Sequence, residues 1–318
     1  EKYEGATVFQ PTVGFYERPI AVLDYASLYP SSIIMKNMSH ETWVSDPEYD
    51  NLPGVYYYDA RYKNPEDDTM THVRFAKMPD EFGIIPEVLQ DLLSQRKLAK
   101  KKKKEAKDPF QKKVFDGVQL ALKVTANSVY GAMGASVGPL FCLAIAAGTT
   151  STGREMLELA RDYIEKPFVK TMKKLHKYHT QGKKKKYNKY LETQLVEKDN
   201  QKIKDNILTC VKFMDKVELH PKTIYGDTDS IFVDFKLKWR EEPEDSDDDG
   251  YYMEKDLLEK VILLGVVGGD LIKKILLFPQ DLEYEKTFFP WFILSKKRYV
   301  GNKYEFDANS FKQISMGI

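Results

Sequence analysis

The chain has 318 residues, 42% of them hydrophobic and 31% charged, with 49 Lys+Arg against 48 Asp+Glu. That length suffices for one large domain or two with a real core, and a net charge of +1 excludes a uniformly basic polyanion binder. Cys142 and Cys210 are too few and too far apart for a disulfide framework or a Cys-rich zinc site, which fits a reducing, intracellular compartment.

The charge is nonetheless sorted along the chain. Residues 86–130 hold 11 Lys/Arg against 5 acids, 165–222 hold 16 Lys against 7 acids, and 223–270 hold 5 Lys/Arg against 14 acids. Such asymmetry suits a nucleic acid lying along part of the surface, although solvated helix faces account for any single block. The longest apolar run, LFCLAIAAG at 140–148, is about half the length a bilayer crossing needs, so no membrane contact is expected. The chain opens on EKYEGATV without Met or a signal segment and reads as a piece of a longer protein.

In chain order, RPIAVLDY at 18–25 predicts a buried strand ending on a carboxylate, Asp24. Tyr29-Pro30 breaks it, and Ser31 or Ser32 is placed to cap a short helix through SIIMKNM. Residues 45–82 predict an irregular excursion with one hairpin, YYYDARY to THVRFAKM. From Pro86, Val88, Leu89, Leu92 and Leu93 recur at helical spacing until Asp108-Pro109. A second helix follows, with Gly131 as its expected stop, so the two fold back as a helical hairpin. Another helix is expected over 139–165. The Lys-rich stretch 166–206 predicts an insertion, partly helical or disordered, in which His176 and His179 form an H-x-x-H pair with no adjacent Cys or acidic ligand. KTIYGDTDSIFVDF predicts a β-hairpin, EEPEDSDDDG at 241–250 an acidic loop, residues 253–275 a helix, and LEYEKTFFPWFILSKKRYVG strands. The sum is α+β, a sheet with helices on one face.

Asp227 and Asp229 at a hairpin tip are, by themselves, turn formers. Asp24, ending a strand suited to lie beside that hairpin, changes the reading. Three converging acids without counter-charge raise one another's pKa, and divalent cations remove that penalty. Oxygen ligands of this kind suit Mg²⁺ or Mn²⁺ shared with a phosphate-bearing substrate, the arrangement of two-metal phosphoryl transfer. On the helical hairpin, Arg96 and Lys100 are four residues apart, and Lys123, Asn127 and Tyr130 share a face of the returning helix. Arg offers a planar fork to phosphate oxygens and Lys a point charge, while most of the run Lys100–Lys104 faces solvent.

DYASLYPS at 24–31, KVTANSVYG at 123–131, YGDTDS at 225–230 and KKRYVG at 296–301, in that order, resemble the polymerase motifs of family B DNA polymerases. YEGATV at 3–8, GREM at 153–156 and LEYEK at 282–286 extend the likeness to the polymerase delta type. SHET at 39–42 and the Lys-rich insertion are most similar to the versions in large DNA viruses of algae and protists. The resemblance implies a polymerase palm in two parts, 1–82 and 132–318, around a fingers subdomain at 83–131.

It also implies roles. Asp24 and Asp227 would hold two Mg²⁺ ions with the Tyr25 carbonyl, Asp229 taking a lesser share and Glu283 or Glu285 an additional ion. Ser27, Leu28 and Tyr29 would receive triphosphate and sugar, the Tyr29 ring lying where a 2′-hydroxyl would clash. Arg96, Lys100 and Lys123 would hold the β- and γ-phosphates, with Asn127 nearby. Tyr130 and Gly131 would pack against the nascent base pair and template, and Lys297, Arg298 and Tyr299 would meet the primer strand. The implied partners are primer–template DNA, dNTPs and a sliding clamp engaged through segments outside this chain. The implied setting is DNA replication in a host nucleus or a cytoplasmic viral factory. On the residues alone, a non-catalytic polymerase-like scaffold and a two-metal nuclease stay open. The first predicts a lost acid or fingers base, and the second leaves Arg96, Lys100 and Lys123 without a task.

Overall fold

The computed structural model describes residues 3–64, 67–195, 200–241 and 250–318. Most of the acidic loop expected at 241–250, and residues 196–199 of the Lys-rich stretch, lie outside the described residues. In chain order the elements are β1 (Gly14–Tyr16), β2 (Ile20–Tyr25), α1 (Leu28–Met35), β3 (Tyr56–Lys63), β4 (Met70–Lys77), α2 (Ile84–Glu105), α3 (Pro109–Gly134) and α4 (Leu143–Tyr163). They continue as α5 (Val169–Thr180), α6 (Lys184–Tyr190), α7 (Gln201–Phe213), β5 (Val217–Glu218), β6 (Lys222–Asp227), β7 (Ser230–Asp234) and β8 (Lys238–Trp239). The last four are α8 (Gly250–Ile272), β9 (Leu282–Ser295), β10 (Arg298–Tyr304) and β11 (Phe311–Met316). Helices and antiparallel strands mix as the α+β reading requires. Two compact units divide them: Glu1–Thr7, Ser27–Glu155 and Leu277–Gln280 form one, and Val8–Ala26, Met156–Leu276 and Asp281–Ile318 the other.

The second unit is built on a seven-stranded antiparallel sheet, ordered β11-β10-β9-β2-β7-β6 with β1 added on β9. IAVLDY is apolar on both faces because β2 is central, flanked by β7 and β9. Ile20 and Val22 join a cluster with Phe232, Phe288, Trp291 and Tyr299. Burying each such large side chain contributes about 1.5–3 kcal/mol relative to leaving it exposed. Ala21 and Leu23 point the other way, toward α8. Its bare glycines Gly265 and Gly268 lie within 3.5 Å of Ala21 and 3.8 Å of Leu23 by their would-be Cβ positions. Strand alternation therefore puts Asp24 on the face opposite α8.

The Lys-rich stretch is more helical than expected. Met172 and Leu175 on α5, Tyr187 on α6, and Ile207, Cys210 and Val211 on α7 supply a buried side that the lysine count obscures. ILTCVKFM belongs largely to α7.

In the first unit, α2 and α3 form the expected hairpin. Asp108 caps α3 by accepting from the Phe110 and Gln111 N–H groups, and Pro109 takes the first helical position. Lys103 meets Asp116 at 2.7 Å across the hairpin. α3 does not stop at Gly131 but runs to Gly134, because Met133 is buried and its carbonyl accepts from the Cys142 N–H. α1 starts earlier than expected, at Leu28, with Ser27 in the left-handed region as its cap residue. Ser32 instead donates to the Leu28 carbonyl within the helix. Ile33 and Ile34 of α1, Val73 and Phe75 of β4, Leu89 of α2 and Ile145–Ala147 of α4 make this unit's core. Among the described residues no helix is long and apolar enough to cross a membrane.

Candidate metal and nucleotide sites

In the second unit, register brings the acids together. Asp24 on β2 and Asp227 on β6 both pair with Ser230, on the strand between them, and Asp24 pairs with Glu283 on its other side. Glu283, Asp24, Ser230 and Asp227 thus form one row across four adjacent strands. Neighbouring strands lie about 4.8 Å apart, so the Asp24 and Asp227 backbones are about 10 Å apart, within reach of converging side chains.

The tip between β6 and β7 is a tight turn. The Asp229 N–H donates to the Asp227 carbonyl at 2.6 Å, with Thr228 at φ 56°. This turn swings Asp229 back, so that its carbonyl accepts from the Tyr25 N–H at 2.8 Å and its carboxyl shares a hydrogen bond with Asp24. Burial raises the Asp229 carboxyl above the usual range, and the Asp227 and Glu285 charges push in the same direction.

Asp227 is gripped from several sides. Lys297 Nζ lies 2.6 Å from Oδ1, Thr228 donates to the same oxygen at 3.1 Å, and the Tyr225 hydroxyl donates to Oδ2 at 3.3 Å. The Lys297 N–H in turn donates to the Tyr225 hydroxyl at 2.9 Å. With the Asp227 oxygens turned this way, no three Asp, Glu, His or Cys side chains among the described residues stand as ready metal ligands. The donor set still fits a hard divalent cation: Asp24 and Asp227 flank Ser230 on adjacent strands, the Asp229 carboxyl is hydrogen-bonded to Asp24, and the contacting ammonium is on Asp227.

Glu283 and Glu285, left equal by the sequence, separate here. Glu283 lies 3.8 Å from Lys273, which also pairs with Asp281 at 3.0 Å, whereas Glu285 pairs with Lys286 at 2.9 Å while its charge still reaches Asp229 and Tyr299. His176 meets Asp215 at 2.9 Å and His179 packs on Tyr187, so the H-x-x-H pair is divided between two partners.

Phe9 and Tyr225 carry no signal that sequence reasoning used. The Phe9 N–H donates to the Gly226 carbonyl at 2.9 Å, and its ring lies 2.6 Å from where a Gly226 Cβ would stand. The glycine of YGDTDS is therefore required by packing rather than by the turn. Tyr299 is 3% exposed, its ring set against Phe232, Phe288 and Trp291 and its phenol pushed up to about 12 by burial. Lys297 and Arg298 are exposed on the β9–β10 turn.

In the first unit, Arg96 Nη1 donates to Ser27 Oγ at 2.7 Å, while its buried Nε has no hydrogen-bond partner. Burial lowers this guanidinium's pKa. Because Lys103 faces Asp116, antiparallel counting sets Arg96 level with Lys123. Lys100, Lys123 and Asn127 are exposed. The Tyr29 ring packs on Tyr130 with centroids 4.5 Å apart, and Tyr130 meets Tyr3 through their hydroxyls at 3.3 Å. Leu28 is buried, whereas Gly131 is exposed with nothing within 4 Å of its would-be Cβ.

The family model of DNA polymerase family B matches residues 1–245. The chain is 36% identical over 372 residues to a DNA polymerase of Pyramimonas orientalis virus, an alignment covering all of this chain and 26% of that protein. It is also 36% identical to the DNA polymerase delta catalytic subunits of Oryza sativa subsp. japonica, over 99% of this chain and 23% of that protein, and of Arabidopsis thaliana, over 98% and 23%. The chain thus spans about a quarter of the length of these relatives.

Proposed function

The chain belongs to DNA polymerase family B, and from that premise we propose that it carries the nucleotidyl-transfer centre of a DNA-directed DNA polymerase working in replication. The seven-stranded sheet is the palm and the α2–α3 hairpin the fingers. The observation that carries the reading is the row of acids, with Asp24 and Asp227 on either side of Ser230 and Asp229 folded back between them.

Asp24, Asp227 and the Tyr25 carbonyl would hold two Mg²⁺ ions, or Mn²⁺, with Asp229 contributing and Glu283 or Glu285 taking a further ion. When bound, such ions lower the pKa of an attacking hydroxyl and stabilise charge on the reacting phosphate and its leaving group. The chain's own residues do the rest. Arg96, released from Ser27, and Lys100 and Lys123 clamp the β- and γ-phosphates, so that the leaving pyrophosphate is already paired with cations. Ser27 and Leu28 line the nucleotide, and Tyr29, wedged against Tyr130, holds its ring under the sugar and excludes a 2′-hydroxyl. Asn127 and Gly131 meet the nascent base pair and template. The primer 3′-hydroxyl attacks the α-phosphorus of the paired dNTP, one P–O bond forming as the bond to pyrophosphate breaks. Template pairing selects the base while the protein grips the backbone. The likeness of SHET and the Lys-rich insertion to viral versions supports a viral replication setting, and a sliding clamp would be engaged by parts of the polymerase outside this chain.

Primer extension by the chain within its full reading frame tests this. Asp227→Asn abolishes extension while primer–template binding persists. Near-normal extension by that variant refutes the assignment. Degradation of the primer in place of extension by the unmodified enzyme favours the nuclease.

A further inference from the structure

We propose that Lys297 is an exchangeable counter-cation for Asp227, so that divalent-metal binding and primer-strand binding are coupled through one side chain. The inference rests on the reading of Asp227 as a metal ligand and adds a positioning role that the reading does not contain.

Three observations carry it. First, the Lys297 ammonium lies 2.6 Å from Asp227 Oδ1, and that carboxylate is mostly buried, 16% exposed, while the lysine side chain is 59% exposed. A solvent-borne cation is therefore seated on a carboxylate that solvent hardly reaches. Second, the lysine's backbone is anchored independently of its side chain. Its N–H donates to the Tyr225 hydroxyl, and Lys297 occupies a left-handed turn position, φ 61°, between the paired residues Ser295 and Arg298. The turn stays in place while the ammonium leaves. Third, Lys296 and Arg298 flank it, both exposed, so the turn presents three consecutive cations. Once displaced, the ammonium is already beside groups suited to a phosphodiester backbone.

An ammonium and a divalent ion cannot share one carboxylate oxygen without strong repulsion. A metal arriving at Asp227 must expel Lys297, and a primer phosphate that captures Lys297 frees Asp227 for the metal. Each ligand then strengthens the other by the same factor, as linkage requires. Without DNA, Lys297 competes with the metal and neutralises the acid. With DNA it becomes a phosphate contact. Asp227 is thus paired with a cation in both states.

The test is Mn²⁺ binding followed by electron paramagnetic resonance, with and without primer–template, using the full-length enzyme. The unmodified protein should bind Mn²⁺ at least about fivefold more tightly when primer–template is present, a coupling of typical size. Lys297→Met should bind Mn²⁺ more tightly than the unmodified protein without DNA, and primer–template should then improve binding less than about twofold. Lys296→Met on the same turn should leave the Mn²⁺ affinity without DNA unchanged, because among the described residues only the Lys297 ammonium contacts Asp227. Lys297→Arg, which retains the cation, should keep most of the coupling and serves if the Met variant folds poorly. The proposal is overturned if Lys297→Met binds Mn²⁺ equally or more weakly without DNA, or keeps the full DNA effect. If Asp227→Asn binds Mn²⁺ as the unmodified protein does, the metal assignment itself fails, a different result from a lost coupling at an intact site.

Discussion

Gly226→Ala puts the packing argument at the centre of YGDTDS to a quantitative test. The new methyl would lie 2.6 Å from Phe9 Cδ2, 3.1 Å from Cε2 and 3.2 Å from Cγ. Carbon atoms rest at about 3.5–4.0 Å, so the ring must move by about 1 Å. It cannot move with its backbone, because the Phe9 N–H is bonded to the Gly226 carbonyl at 2.9 Å and the Thr12 N–H to the Ile224 carbonyl at 2.8 Å. The ring must rotate instead, leaving the Arg161 guanidinium that lies 5.1 Å from its centroid. Overpacking costs about 1–3 kcal/mol and the lost cation–π contact about 0.5–1 kcal/mol. The total, about 1.5–4 kcal/mol, lowers the melting temperature by about 3–16 °C for a unit of this size. Thermal unfolding measures it, and a cycle with Phe9→Ala identifies the cause. Once the ring is gone the methyl has room, so the double variant should recover at least about 1 kcal/mol relative to the sum of the singles. Additivity within about 0.5 kcal/mol refutes the reasoning.

Gly131 is the opposite case. It sits inside α3 with open space around it, so Gly131→Ala should stabilise the fold by about 0.5–1 kcal/mol while weakening primer–template binding. Unchanged DNA affinity in a binding titration removes it from the DNA contact. Tyr29→Ala should relax discrimination between dNTPs and rNTPs in single-nucleotide extension, and unchanged selectivity ends the steric-gate role. Burial pushes the Cys210 thiol up to about 12, so its reactive thiolate form is absent at pH 8 and appears only as pH rises toward that value. Alkylation at pH 8 should therefore spare Cys210 until the chain unfolds, and its prompt labelling in the native protein, read by mass spectrometry, contradicts the burial.

Much of this architecture is legible in the residues, and the gaps have physical causes. IAVLDY reads as a doubly buried strand because nothing in it tolerates water before Asp24. The α2–α3 hairpin reads from Asp108-Pro109, which caps one helix after breaking another. What single-chain patterns do not carry is register. That Asp24 and Asp227 share Ser230 as a neighbour, that Asp229 bends back onto Tyr25, and that Glu283 turns to Lys273 all depend on alignment across strands distant in sequence. Local punctuation also yields to packing. Gly131 marks a helix stop by composition, yet buried Met133 carries α3 past it. The lysine count of 166–206 hides the apolar side on which α5, α6 and α7 pack. The motif KKRY reads as one exposed unit, but Tyr299 belongs to the aromatic core and Lys297 reaches Asp227 through a turn no spacing rule predicts.

The central place of β2 has a consequence for how the protein is made. The strand ends at Tyr25, but its neighbours β7 and β9 begin at Ser230 and Leu282. A ribosome adding about 5–20 residues per second needs about 10–40 s to supply the first of them. Throughout that interval IAVLDY is an apolar segment with both edges open, the kind that pairs with other chains. Its emergence long before either partner marks it as the segment through which nascent or truncated copies would aggregate. It also makes the pairing that seats Asp24 among the last long-range contacts to close.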